Sequence, residues 1–282
     1  MLPIVFRQMA QTAVSLPAPS LRSFIMEYAG FCISGLTPGT FVGLPSRKID
    51  LVISLDEPIN VIQMPNPSHR PAAHRALIAG LQDGPAVIRQ GSTAHGMHVF
   101  LTPLGVQSIL GVSSAELASL VVNFSDIWGD DASQLVAELA AATTWKKRFA
   151  ILDKAFLARL NPVTPSREIT WAWHQLIQAH GCLSIERLAR EIGWSRRHFG
   201  HRFRETIGVT PKSAARVLRF ERACWLIKSR QQPLADVAAA CGYYDQAHMI
   251  HEWQALSGCS PKTWIARELP FLQDYELAGR DT

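Results

Sequence analysis

Leu188-Ala-Arg-Glu-Ile-Gly193, Phe199-Gly-His-Arg-Phe203 and Gly208-Val-Thr-Pro211-Lys212 return some fifty residues later as Val237-Ala-Ala-Ala-Cys-Gly242, Met249-Ile-His-Glu-Trp253 and Gly258-Cys-Ser-Pro261-Lys262. His201 pairs with His251, Phe203 with Trp253, Gly208 with Gly258 and Lys212 with Lys262, each at a separation of fifty. Gly193 and Gly242 are forty-nine apart, which places one extra residue at Tyr243-Tyr244. Each copy reads as a helix, a glycine turn and a second helix, the unit that lays a helix in the DNA major groove. A tandem pair of such units points to DNA binding.

Working outward, the flanking sequence predicts an almost wholly helical C-terminal domain. A first helix spans roughly residues 168–180 and stops at Gly181. Ser184 and Ser195 stand where N-caps are needed for the two helices of the first unit. Pro211 suits the first turn of a long helix to about Ser229. Its 19 residues give roughly 28 Å, close to the ~34 Å turn of B-DNA, so it can set two reading helices into successive grooves. In the first reading helix Phe199 and Phe203 share an inward face, leaving Arg197, Gly200, His201 and Arg204 outward. In the second, Met249 and Trp253 go inward, leaving Ala247, Ile250, His251 and Gln254 outward, with Gln246 and His248 near the start. Arg197 is the leading candidate for a base contact, because a guanidinium can bond guanine O6 and N7 together. Gln246 can read adenine, and Ala247 or Ile250 can touch a thymine methyl. Gly200 costs about 0.8–1 kcal/mol of helix propensity, so either close approach to DNA or drift explains it.

The charge distribution agrees. The net charge is +5. Residues 1–166 carry 12 basic and 11 acidic side chains, residues 184–230 carry 12 and 4, and residues 231–282 carry 3 and 7. A concentrated basic block is the footprint of phosphate binding. Phosphate contacts are therefore expected from Ser184, Arg196, Arg202, Arg204, Lys212 and Arg216, and from Lys262 in the second copy. This asymmetry implies that phosphate affinity resides mostly in the first unit and the long helix, with the second unit tuning specificity.

Residues 184–265 resemble the tandem helix-turn-helix domain of the AraC/XylS family of bacterial transcription regulators. The resemblance is carried by Leu188-Ala189, Gly193, Ser195, Arg197-His198-Phe199, Phe203-Arg204, Gly208-x-x-Pro211 and Arg219-x-x-x-Ala223. It continues through Ala238, Gly242-Tyr-Tyr-Asp-Gln-Ala-His248, Trp253 and Gly258-x-x-Pro261. It implies base-facing positions at 197, 200 and 201 and at 246, 247, 250 and 251. The family usually places arginine where this chain has His201 and His251. Histidine lacks the bidentate fork of arginine, so the change implies an altered or pH-sensitive site preference. Alternatively, both histidines hold a phosphate.

Residues 1–160 read as a strand-rich N-terminal domain, with a cupin-like barrel as one form of it, so the whole chain is expected to be α+β. Residues 48–55, 60–64, 86–89 and 97–101 are short β-branched or aromatic runs punctuated by proline and glycine. Helical signals follow at Val106–Leu110, at the capping box Ser113-Ser-Ala-Glu116 and at residues 131–142. Trp145, Phe149, Leu152, Phe156 and Leu160 form an amphipathic stripe, which is either a dimer seam or the packing face that closes the domain. Asn161-Pro162-Val-Thr-Pro165 is the expected linker (161–166), the DNA-binding domain runs 167–282, and Pro270–Asp274 ends the folded part. Ile49-Asp-Leu-Val52 and Leu101-Thr-Pro-Leu-Gly105 resemble the N-terminal regions of a subgroup of the same regulators.

Several function classes are disfavoured. Hydrophobic content of 48% and charged content of 18% are ordinary for a globular protein. No apolar run approaches the ~20 residues of a membrane span, and Met1 to Met9 carries no secretory pattern. Five scattered cysteines without a C-x-x-C fit inert reduced thiols in the cytoplasm. His69, His74, His95 and His98 could ligate a metal from neighbouring strands, but lack i,i+4 spacing with a carboxylate, and solvated loop histidines are the preferred reading. No G-x-S-x-G or phosphate loop is present, so no catalysis, metal or other cofactor is expected. A single N-terminal cysteine, Cys32, excludes the alkyl-acceptor repair proteins that share this kind of reader. The expected partners are double-stranded DNA, RNA polymerase, a small-molecule effector and a second copy of the chain, and no membrane. The alternatives are an enzyme or metal-binding domain fused to a DNA reader, and a ligand-independent dimerising protein.

Overall fold

The computed structural model of the chain describes residues 9–230 and 232–267. The expectations for the first eight residues and for Pro270–Asp274 lie outside the described residues.

Among the described residues, ten strands form two antiparallel sheets. They are β1 (Met9–Ser15), β2 (Ile25–Ser34), β3 (Gly39–Gly43), β4 (Ile49–Ser54), β5 (Ile59–Gln63), β6 (Ala72–His74), β7 (Ala76–Ala79), β8 (Ala86–Gln90), β9 (Thr93–Leu101) and β10 (Val121–Asn123). The first sheet runs β1-β2-β9-β4-β7-β10 and the second β3-β8-β5-β6, so the strands make two open sheets. Alternation along β4 explains how the larger sheet serves two purposes. Ile49, Leu51 and Ile53 are fully buried on one face, while Asp50 and Val52 point to the other. The first face receives the helices α1 (Val106–Leu110), α2 (Ser125–Trp128), α3 (Asp130–Ala141) and α4 (Trp145–Arg159). The second face looks across a cavity to the smaller sheet.

The stripe on α4 is the packing face. Phe149, Leu152 and Phe156 are buried, and Tyr28 stacks between the two phenyl rings at 6.0 and 6.3 Å. Gly30 of β2 belongs to the same contact, because a Cβ there would sit 2.3 Å from the Trp145 ring. The Tyr28 hydroxyl donates to Asp153 at 3.0 Å, and burial pushes its ionisation far above the ordinary tyrosine range. The capping box forms, with Glu116 accepting from the backbone and hydroxyl of Ser113 at 2.7 Å each, but it closes turns instead of a helix.

The segment around Asn161 is tied down by Asn161 and Val163 amides that donate to the carbonyl and hydroxyl of Ser108. Beyond it come α5 (Arg167–Gln178), α6 (Ile185–Glu191), α7 (Arg196–Ile207), α8 (Pro211–Arg230), α9 (Leu234–Ala240), α10 (Gln246–Ser257) and α11 (Pro261–Arg267). The ends of α7 and α10, and the starts of α8 and α11, are fifty residues apart, and α6 and α9 are offset by forty-nine. The internal repeat read from the sequence is therefore a structural repeat.

Candidate nucleic-acid interface and the adjoining cavity

In the first unit, Leu188 and Ala189 of α6 and Phe199, Phe203 and Ile207 of α7 are buried, and Phe203 packs edge-on against Trp173 of α5 at 6.1 Å. Gly193 turns the chain at φ +73°, a left-handed conformation that glycine adopts without a Cβ penalty. Ser195 starts α7 by accepting from the His198 amide at 3.2 Å. With one face held this way, Arg197 and His201 are exposed on the other, beside a half-buried Gly200 that has open space where a Cβ would lie. Arg196, Arg202, Arg204 and Lys212 are exposed around them. The Ser184 hydroxyl, expected to meet a phosphate, accepts from the Arg187 amide as the cap of α6.

The second unit repeats this construction with different side chains. Gly242 turns at φ +71°, and Asp245 accepts from the His248 amide at 2.7 Å to start α10. Met249, Trp253 and Leu256 are buried, and Trp253 packs on Phe220 and Trp264 at 4.8 and 5.2 Å. Gln246, Ala247 and His251 are exposed and Ile250 is half-buried, so the four expected base-facing residues share the accessible side of α10. Lys262 is exposed at the start of α11.

Two features were not read from the sequence. Glu205 holds His201 at 3.1 Å and Arg202 at 2.7 Å, so both expected DNA contacts carry an acidic neighbour one turn along. Glu252 is nearly buried and accepts from Arg216 at 3.2 Å and Arg219 at 3.1 Å. Arg216, expected at a phosphate, is thus engaged in fastening α8 to α10. The signal was in the repeat: position 252 carries a carboxylate where its counterpart, Arg202, carries a guanidinium.

A cavity of about 580 Å³ lies between the two sheets and opens onto the helical region. Phe41, Val52 and Ile88 line it from the sheets, and Phe220, Trp225 and Trp264 from α8 and α11. Gln82 and Gln90, each 7% exposed, border it, and neither Oε1 has a hydrogen-bond partner among the described residues. The Gln90 amide nitrogen donates to the Thr37 carbonyl, which fixes its orientation. His98 lines the wall, and burial, then the nearby Lys48 charge, pushes its imidazole down to about 4. Burial pushes the Cys224 thiol well up, the condition of an inert thiol. Beside the cavity Glu221 of α8 accepts from the Arg47 amide at 2.9 Å and its guanidinium at 3.3 Å, clasping helix to strand region. Of the four histidines considered as a metal set, His98 lines this cavity and His95 reaches Asp56 at 3.3 Å and Arg148 at 3.2 Å. No group of three or more His, Cys, Asp or Glu able to hold a metal occurs among the described residues.

The family model for a helix-turn-helix domain matches residues 188–267. The MmsAB operon regulatory protein of Pseudomonas aeruginosa is 34% identical over 88 residues, 31% of this chain and 29% of that protein. The probable transcriptional regulator LumQ of Photobacterium leiognathi is 28% identical over 116 residues, 41% of this chain and 44% of that protein. The chain therefore spans less than half the length of these curated relatives. An apo structure of a ToxT variant from Vibrio cholerae aligns with a TM-score of 0.50 at 8% identity, over 92% of this chain and 97% of that one. That likeness places the strand-rich region and the helical region in one known architecture.

Proposed function

We propose that this chain, whose residues 188–267 match a helix-turn-helix family model, is a cytoplasmic, sequence-specific DNA-binding transcription regulator of the AraC/XylS type that responds to a small molecule held by its strand-rich region. The observation that carries the reading is the pair of equivalent reading helices, α7 and α10, each with a buried aromatic face and an exposed polar one. Arg197, Gly200 and His201 on α7, and Gln246, Ala247, Ile250 and His251 on α10, are the proposed base contacts. Arg196, Arg202, Arg204, Lys212 and Lys262 are the proposed phosphate contacts. RNA polymerase and a second copy of the chain are further proposed partners, and neither half is assigned catalysis.

The effector site is the cavity. Its size suits a drug-sized ligand, and its aromatic walls suit a mostly apolar one. A hydroxyl or amine on that ligand would satisfy the unpartnered glutamine oxygens at the wall, which accept but do not donate.

The test is selection of bound duplexes from a random pool by the full chain. The full chain is preferable to a fragment because the buried face of the first unit is continuous with the core of the strand-rich region. The expected result is a site with two short elements about one helical turn apart. Arg197→Ala should relax one element and Gln246→Ala the other, each at a cost of about 1–3 kcal/mol. Salt-sensitive binding with no enriched sequence would sink the proposal.

A further inference from the structure

Among the described residues, the helical region is divided between two apolar cores, and the division falls between its two reading units. Trp173, Leu188, Phe199, Phe203 and Leu218 belong to the same continuous core as Ile49, Leu51 and Val99 of the large sheet. The turn after α7 is pressed home, since a Cβ on Gly208 would lie 2.6 Å from the Ser114 carbonyl oxygen of the strand-rich region. The void left at this junction, beside Leu81, Trp173 and Val209, is about 10 Å³, too small for any ligand larger than a water. The first unit is therefore seated on the strand-rich region as part of one packed body.

The second unit closes a core of its own around Phe220, Val237, Met249, Trp253 and Leu256. Between it and the sheets lies the 580 Å³ cavity. It meets the strand-rich region through Leu44, through Pro85 beside Gly258, and through the Arg47–Glu221 clasp. The cavity wall on this side consists of Phe220, Glu221, Cys224, Trp225 and Lys228 of α8 and Trp264 of α11. Phe220 and Trp264 are also the two rings packed against Trp253, the buried anchor of α10. An occupant of the cavity is thus one side chain removed from the inner face of the second reading helix.

We infer that a mostly apolar small molecule in this cavity sets the position of the second reading unit alone, while the first stays fixed as the anchor on DNA. This deepens the regulator reading above and rests on it. The physical requirement is that the ligand bind one placement of the second unit better than another. Aromatic walls contributed by both halves supply that difference, because the contact they make with the ligand changes when the halves shift.

The test uses the full chain, with N-phenylnaphthylamine, a neutral apolar fluorophore, as the occupant. Val52→Phe and Cys224→Phe each project a ring into the cavity from opposite walls and partly fill it. Dye fluorescence should rise with the wild-type chain and be weaker in both partly filled variants. Dye or filling should slow amide hydrogen exchange in residues 234–267 and leave residues 185–207 unchanged. On DNA, occupancy should change affinity for a duplex with both elements by about fivefold or more. The change should be under about twofold for a duplex in which the second element is scrambled. Equal effects on both units, equal effects on both duplexes, or no effect on either would overturn the inference. If a filled variant does not fold, the dye on the wild-type chain still decides it. If no specific duplex is recovered, the regulator reading fails, and the exchange measurement, which needs no DNA, still decides whether the second unit alone follows the cavity.

Discussion

Glu252 shows how one side chain decides whether its neighbours serve DNA or the fold. Arg216 and Arg219 are each less than a quarter exposed and both converge on it. Replacing Glu252 by alanine leaves two partly buried guanidinium groups facing each other without an anion. The expected cost is about 3 kcal/mol in urea unfolding, the lower end for breaking a buried pair; a loss below about 1 kcal/mol would mean the three charges are effectively solvated. His98 makes a second residue-scale prediction. Its folded pKa of about 4 lies below the 6.5 of an unfolded histidine, so the unfolded chain takes up the proton first as pH falls. Stability from this group is present above pH 6.5 and is lost progressively toward pH 4. Between pH 7 and pH 5 that loss should reach about 2 kcal/mol. The His98→Gln chain should lose that much less over the same interval, measured by chemical unfolding at each pH; equal pH slopes in the two chains would rule the assignment out.

At the scale of elements, what was legible follows from the range of the forces involved. The starts of the first unit's two helices and the span of the long helix could be placed within a residue or two, because their caps, glycine turns and apolar stripes are local signals. β4, β5, β8 and β9 were found from their β-branched runs. β2 and β7 were not, although β2 is ten residues long, since it contains Gly30, Glu27 and Cys32 and is held as a strand by its pairing with β1 and β9. The outward faces of α7 and α10 were readable from helical spacing, whereas the Glu252 clasp and the cavity wall on α8 depend on tertiary contact and were not. Gly200 remains the informative position on α7. The open space beside it means that Gly200→Ala should raise stability by about 0.8–1 kcal/mol. If affinity for the selected duplex then falls by about tenfold, or ~1.4 kcal/mol, the glycine is there for close approach to DNA. Unchanged affinity would assign it to drift.

Over the whole molecule, charge and packing divide the labour of the two units along the same line. The first unit lies in the basic block of 12 cations against 4 acids, and its buried face is part of the main core. The second lies in a stretch of 3 cations against 7 acids and packs around its own core over the cavity. An anchored basic unit and a separately packed, weakly charged one should contribute differently to salt dependence and to specificity. Lys212 and Lys262 are the cleanest pair for measuring this, being equivalent in the repeat and both exposed. Arg216 is unsuitable, because its loss would be felt through Glu252 and α10. Lys212→Ala should flatten the slope of log affinity against log salt by about 0.9, the value for one lost phosphate contact. Lys262→Ala should flatten it by less, since Lys262 stands outside the basic block and lacks the neighbouring cations that strengthen phosphate attraction around Lys212. Equal flattening by the two changes would mean that both units grip the backbone alike, and the asymmetry would then reside in packing alone.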